Sequence, residues 1–210
     1  MNNYKKVVVL ASGGGTNLQA LIDAEKRGEL GSGKITCVIA SKADAYALVR
    51  AEENGIKTRT LIRKDYTDVD KYSKDMLKLL LEEEADVIVY AGFMTILGSA
   101  VCDAFPNKMV NVHPALIPSF CGKGFYGLHV HEEALKKGVK VSGATVHFVT
   151  AECDGGPIIL QKAVEVMDDD TPETLQRRIM EQAEWKILPK AVQLLCDEKI
   201  TVENGRTYIK

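Results

Sequence analysis

The chain has 210 residues, 46% of them hydrophobic and 27% charged, with a formal net charge of -2. That is the make-up of one large folded domain, and a weakly acidic balance excludes a broad nucleic-acid-binding surface. The five cysteines, an odd number with no C-x-x-C pair, argue against a disulfide framework or a zinc ribbon and for a reducing, cytoplasmic setting.

Residues 1–6 lead straight into an apolar strand, without the long apolar stretch and cleavage site of a signal peptide. No apolar run reaches the roughly 20 residues of a membrane span. From there short β-branched runs alternate with helical periodicity. Residues 6–11 read as a buried strand and 17–27 as a helix with Leu18, Leu21 and Ile22 on one face. A strand at 35–40 precedes a helix at 43–53, stopped by Asn54-Gly55. A third strand at 57–62 leads to a helix at 69–84, and a fourth strand at 86–91 to a helix at 95–105 that ends before Pro106. Residues 109–112 form a fifth strand. This order predicts an α/β fold with a Rossmann-like, mostly parallel sheet and helices on both faces. Ligands in such sheets bind beyond the carboxyl ends of the strands, which directs attention to residues 12–17, 92–97 and those from 113 onward.

The second half changes character. Residues 118–127 are a glycine-bearing loop, 128–137 a helix, and 141–149 and 158–166 two antiparallel strands around a turn. Thr171-Pro172-Glu173 starts a helix that runs to about Cys196, with a kink expected at Pro189. Residues 200–209 alternate around Asn204-Gly205, a hairpin signal.

Ser12-Gly13-Gly14-Gly15-Thr16-Asn17 joins the first strand to the first helix. Glycines let a backbone turn tightly and approach a ligand closely, and a helix start offers free N–H groups and positive dipole character. An anion, above all a phosphate, suits this place, and Thr16 and Asn17 add side-chain donors. The loop is no P-loop, because no G-K-[ST] follows, and Leu18 stands where the dinucleotide fingerprint needs its third glycine. A tight turn without a ligand is the plain alternative.

Asn111-Val112-His113-Pro114 and Asp154-Gly155-Gly156-Pro157 carry the chemistry. The Asn111 amide can donate to a carbonyl oxygen that gains negative charge. His113 can do the same if protonated, or accept a proton if neutral. Asp154 can raise the pKa of His113, fix its orientation or hold a water that relays protons. This is an acyl-transfer set without a covalent nucleophile: no G-x-S-x-G elbow occurs, and neither Ser12 nor Ser142 has an evident base. By spacing alone, a histidine after a strand is more often a capped or core residue. His147, inside an apolar strand pattern, reads as buried and hydrogen-bonded. His129, His131, Cys121 and Cys153 raise the question of a metal, but His131-Glu132 lacks the second histidine of H-E-x-x-H. An acidic helix start is the better reading, and no metal is expected.

Asn111-Val112-His113-Pro114-Ala115-Leu116-Ile117-Pro118, Gly143-Ala144-Thr145-Val146-His147-Phe148-Val149 and Asp154-Gly155-Gly156-Pro157 closely resemble the folate-dependent formyltransferases. Val9-Leu10-Ala11-Ser12-Gly13-Gly14-Gly15-Thr16-Asn17-Leu18-Gln19-Ala20 and Ala91-Gly92-Phe93-Met94 narrow the resemblance to the branch that formylates glycinamide ribonucleotide in purine biosynthesis. The likeness covers nearly the whole chain. It implies one formyltransferase domain over residues 1–210, with a substrate-phosphate half at 1–110 and a catalytic, folate-binding half at 111–210. It implies that the amine of glycinamide ribonucleotide attacks the formyl carbon of 10-formyltetrahydrofolate. Asn111, His113 and Asp154 match the family's catalytic residues. Gly14, Gly15, Thr16, Asn17 and Glu184 match its ribonucleotide contacts. Met94, Thr95, Ile96, Leu97, Asn111, Thr150, Glu152 and Cys153 match its folate site. A monomer or weak homodimer is expected, with no nucleic-acid or membrane partner.

Two departures bear on the folate's benzoylglutamate end: Thr95 and Val69 stand where some relatives carry arginine, and Arg63 or Lys64 is the candidate replacement. The loop at 119–126 is longer than in some relatives and has no assigned chemistry. A hydrolase relative would carry an extra N-terminal regulatory domain. A transfer-RNA-formylating relative would carry an extra C-terminal domain and a basic surface. Neither is expected here.

Overall fold

The computed structural model describes residues 4–210; Met1, Asn2 and Asn3, part of the N-terminal reading above, lie outside the described residues. The first half runs β1 (Lys5–Ala11), α1 (Thr16–Lys26), β2 (Gly33–Ala40), α2 (Tyr46–Glu53), β3 (Lys57–Thr60), α3 (Val69–Glu82), β4 (Val87–Tyr90), α4 (Ser99–Ala104) and β5 (Met109–His113). The second runs α5 (Leu128–Lys137), β6 (Val141–Phe148), β7 (Ile158–Glu165), α6 (Pro172–Ile179), α7 (Trp185–Cys196), β8 (Ile200–Glu203) and β9 (Arg206–Ile209). Seven strands make one sheet in the order β3-β2-β1-β4-β5-β6-β7. β1 to β5 are parallel, and β6 and β7 extend the sheet antiparallel. The chain winds outward from β1 to β3 and then reverses. The switch therefore lies between β1 and β4, where a doubly wound sheet opens its crevice.

β1 shows why the sheet forms. Val7, Val9 and Ala11 face a core shared with Leu18 and Leu21 of α1 and Leu188 and Val192 of α7. Val8 and Leu10 face a second core with Tyr72, Met76 and Leu80 of α3. A strand buried on both faces has to be apolar throughout, which explains the unbroken run after Lys6. Each fully buried large side chain contributes about 1.5–3 kcal/mol, so the two cores together hold the register of the strand ends.

Four expectations need correction. α2 begins at Tyr46, three residues later than the pattern suggested, because Ala45 stays extended and the Ala47 N–H is directed to the Gly13 carbonyl at 3.1 Å. β3 stops at Thr60, and a 3₁₀ turn, Arg63–Asp65, follows. The helix expected over 95–105 forms only at Ser99–Ala104. The Met94 N–H donates to Ser12 Oγ at 3.2 Å and the Gly98 N–H to Ser73 Oγ at 2.8 Å, so tertiary acceptors replace the helical ones. The C-terminal helix breaks before Pro189, in a π-helical turn, Met180–Glu184. That turn directs the buried Glu184 onto Asn17. The terminal hairpin forms as expected, with Asn204 and Gly205 at φ 51° and 74°.

Candidate active site

Asn111 and His113 alternate along β5, so both project from the same face of the sheet. Across the strand pair Asn111 lies opposite His147 and His113 opposite Thr145. Asp154 comes from the turn after β6, at φ 54°. The turn folds back so that the Phe148 N–H donates to the Pro157 carbonyl at 2.9 Å. Only glycine fits at 156, because a Cβ there would lie 1.8 Å from the Phe148 carbonyl oxygen.

The side chains form a connected series. His147 Nδ1–H donates to the Phe148 carbonyl at 2.9 Å, which leaves Nε2 to accept from Asn111 Nδ2 at 3.1 Å. Asp154 sits between two imidazoles, with Oδ1 3.6 Å from His147 Nε2 and Oδ2 3.6 Å from His113 Nδ1. Both separations are longer than hydrogen bonds. The Gly122 N–H donates to Asp154 Oδ2 at 2.9 Å, and His113 Nε2–H donates to the Phe120 carbonyl at 2.8 Å. The loop at 119–126 is thereby pinned onto the cluster. Behind it, the Thr145 hydroxyl donates to the Ala115 carbonyl at 2.7 Å and accepts from the Ile117 N–H at 3.1 Å, fixing the chain that leaves His113.

Burial alone would raise the Asp154 carboxyl. Its contacts with His147, the Gly122 N–H and the charge of His113 outweigh that and hold it down at about 2. For His113 the balance goes the other way: burial pushes the imidazole below its ordinary value, and the upward pull of Asp154 and the Phe120 carbonyl does not prevail. The expected lift from Asp154 is therefore present, but it does not set the direction.

On the β1 side, Gly15 caps α1 at φ 70°, and among the described residues no side chain caps the helix, so its first-turn N–H groups stay available to an anion. A Cβ on Gly15 would lie 2.8 Å from Ala47. Asn17 Nδ2 donates to Glu184 Oε2 at 2.6 Å, and Thr16 Oγ1 lies 3.8 Å from Met180 Sδ. Burial pushes the Glu184 carboxyl up to about 7, with the Asn17 amide pulling the other way. The glycine loop and Glu184, far apart in the chain, do meet.

On the β4 side, Met94, Thr95, Ile96 and Leu97 line a cleft of about 580 Å³ together with Arg63, Val69, Gly98, Ser99 and Ala151. Arg63, rather than Lys64, lines the cleft; its Nη1–H donates to the Tyr66 carbonyl at 2.6 Å, and its guanidinium lies 5.5 Å from the Tyr72 ring centroid. Of the segment after β6 only Ala151 lines the cleft; the expected Thr150, Glu152 and Cys153 are not among its lining residues. The Thr150 hydroxyl donates to the Glu152 carbonyl at 3.2 Å, and the Cys153 thiol lies 3.8 Å from Asp154 Oδ2. Among the described residues no group of three His, Cys, Asp or Glu side chains is arranged to hold a metal, and no helix is long and apolar enough to cross a membrane.

Sequence reasoning placed His147 correctly as buried and hydrogen-bonded but missed that its partners are site residues. The signal lies in the β5–β6 register, which becomes visible only when the strands pair. It also missed Ser12, whose hydroxyl meets Ser41 Oγ at 2.7 Å and accepts from the Met94 N–H, tying the β1 and β4 loops together.

The formyl transferase family profile matches residues 5–192. The phosphoribosylglycinamide formyltransferase of Escherichia coli (strain K12) is 37% identical over 203 residues, covering 97% of this chain and 92% of that protein. The crystal structure of glycinamide ribonucleotide transformylase 1 from Symbiobacterium toebii superposes with a TM-score of 0.92 at 38% identity, over 100% of this chain and 95% of that one. A formyltetrahydrofolate deformylase from Pseudomonas syringae pv. tomato superposes with a TM-score of 0.85 at 26% identity, over 98% of this chain but 66% of its own.

Proposed function

The chain belongs to the formyl transferase family, and from that premise we infer its reaction: transfer of the formyl group of 10-formyltetrahydrofolate to the amine of glycinamide ribonucleotide, in purine biosynthesis. The products are N-formylglycinamide ribonucleotide and tetrahydrofolate. One observation carries the reading. Asn111 and His113 at the end of β5 and Asp154 of the turn after β6 are linked through His147, with a glycine loop suited to a phosphate on the β1 side and a cleft suited to an apolar body with a carboxylate tail on the β4 side.

The amine nitrogen attacks the formyl carbon, a C–N bond forms, and the carbonyl electron pair moves onto oxygen. Asn111 has one Nδ2 hydrogen anchored on His147 and donates the other to that oxyanion. His113 Nε2–H, given in this structure to the Phe120 carbonyl, becomes a second donor when the bound substrate takes that carbonyl's place. Asp154, ionised near neutrality, accepts the proton of the attacking nitrogen through water and returns it to the folate nitrogen as the second C–N bond breaks. The oxygen electron pair then re-forms the carbonyl. Holding amine and formyl carbon in contact supplies up to roughly 7–11 kcal/mol of the barrier reduction. Gly14, Gly15, Thr16 and Asn17 receive the phosphate, and Glu184 exchanges hydrogen bonds with the sugar. Met94 to Leu97 enclose the folate, whose carboxylate tail meets Arg63, with Ala151 at the border. Both subsites draw on both halves of the chain, and each chain carries every group, so a monomer or weak homodimer suffices.

The fold is shared with a deformylase, so the acceptor has to be tested directly. Tetrahydrofolate release from 10-formyltetrahydrofolate is followed with and without glycinamide ribonucleotide. Release that depends on the amine is the expected result. Release without it would make the protein a hydrolase, and no release in either case would refute the activity.

A further inference from the structure

The carbonyls of the glycine loop face α2. The Ala47 N–H donates to the Gly13 carbonyl at 3.1 Å, and Arg50 Nε–H donates to the Gly14 carbonyl at 2.9 Å. In a planar trans peptide the N–H points away from the C=O. Tying these two carbonyls to α2 therefore turns the N–H groups of Gly14 and Gly15 to the opposite side, where they add to the free N–H groups at the start of α1. Arg50 is held at two further points. Its Nη1–H donates to Gln19 Oε1 on α1 at 3.1 Å, and its guanidinium lies 5.1 Å from the centroid of the Tyr46 ring. A Cβ on Gly15 would come within 3.3 Å of the Arg50 Cδ, so loop and arginine are packed together. Among the described residues the partners of this guanidinium are a carbonyl, an amide oxygen and an aromatic ring, none of them anionic, so they leave its positive charge uncompensated.

We propose that Arg50 is the positioning residue of the phosphate subsite: it orients the glycine-loop N–H groups toward the phosphate of the amine substrate and places a positive charge behind them. The inference rests on the reading of the loop as the phosphate subsite, and the test separates the two.

The test is steady-state kinetics of the full chain carrying Arg50→Met, Arg50→Lys or Thr16→Asp, with inorganic phosphate as a competing probe. Arg50→Met raises the KM for glycinamide ribonucleotide roughly tenfold, the scale of one charge-assisted hydrogen bond. It leaves kcat and the KM for the formyl donor unchanged, and inhibition by inorganic phosphate weakens in parallel. Arg50→Lys keeps the charge but not the planar fork, and recovers part of the loss. Thr16→Asp raises the same KM by repelling the phosphate. If Thr16→Asp raises that KM and Arg50→Met does not, the assignment of Arg50 is overturned while the phosphate loop stands. If neither variant moves it, the loop reading falls as well. A loss of kcat in Arg50→Met with an unmoved KM also overturns the proposal. Arg50 is only partly buried, and a circular-dichroism melt checks that each variant is folded.

Discussion

Glu184 offers the sharpest physical test of the glycine-loop side of the site. It is 6% exposed and accepts from Asn17 at 2.6 Å, and burial pushes its carboxyl from 4.5 up to about 7. At about 1.4 kcal/mol per pH unit, that displacement is worth about 3 kcal/mol. Between these two values the folded chain holds a proton that the unfolded chain has lost. Unfolding therefore releases a proton, and raising the pH favours unfolding. The stabilising contribution is complete below about pH 4.5 and gone above about pH 7. Glu184→Gln keeps an acceptor for Asn17 and removes the titration. Urea unfolding of wild type and variant at about pH 5 and about pH 8 isolates this group, because the other titrating residues cancel in the difference. The variant should gain 2–3 kcal/mol relative to wild type between the lower and the higher pH, as an order of magnitude. A difference that is the same at both pH values would refute the reasoning, since it would mean that Glu184 titrates as it does in the unfolded chain.

Three further outcomes follow from the geometry. Asn111→Ala should fold normally and lose roughly 10²–10³ in kcat, the cost of one oxyanion donor; near-normal single-turnover rates would remove Asn111 from that role. Arg63→Met should raise the KM for 10-formyltetrahydrofolate and leave that for glycinamide ribonucleotide untouched, and equal changes in both would argue against a tail contact. Gly156→Ala would bring a Cβ to 1.8 Å from the Phe148 carbonyl oxygen, so the turn has to shift. A loss of about 1–3 kcal/mol in stability is expected, together with slower turnover as Asp154 moves, and an unchanged melting temperature would refute the clash.

What the sequence made legible is what neighbours along the chain decide. β1 was plain because burial on both faces demands an unbroken apolar run, and the terminal hairpin because Asn204 and Gly205 accept positive φ. The glycine loop was plain because the strand, the turn and the helix start are contiguous. Contacts that close over long separations were not. Leu97, Val101 and Phe105 carry a helical spacing, yet Ser12 and Ser73 accept the Met94 and Gly98 N–H groups and hold residues 94–98 out of the helix. Pro189 marked the C-terminal helix for a kink, but the irregular turn falls where Glu184 meets Asn17, a contact no local pattern contains. Asn111, His113 and Asp154 stood out as candidates by motif and resemblance; the link between them, His147, needed the sheet.

That link follows from one row of the sheet. Leu10 pairs with Tyr90, Tyr90 with Asn111, and Asn111 with His147, across β1, β4, β5 and β6. The glycine loop begins just past Leu10, the cleft segment Met94 to Leu97 just past Tyr90, and the turn with Asp154 returns to His147. Strands are spaced about 4.8 Å apart, so three spacings, about 14 Å, separate the glycine-loop side of the site from the side of His147 and Asp154. That is on the scale of a nucleotide laid across the strand ends. The reversal of winding between β1 and β4 is what makes these strands neighbours, although residues 12–86 separate them in the chain. The register matters as much as the order. A slip of one residue in β5 would send Asn111 and His113 to the opposite face, away from His147 and Asp154. Val110 and Val112, packed in the core with Val89 and Val146, oppose that slip, so the same apolar contacts that stabilise the sheet also aim the amide and the imidazole.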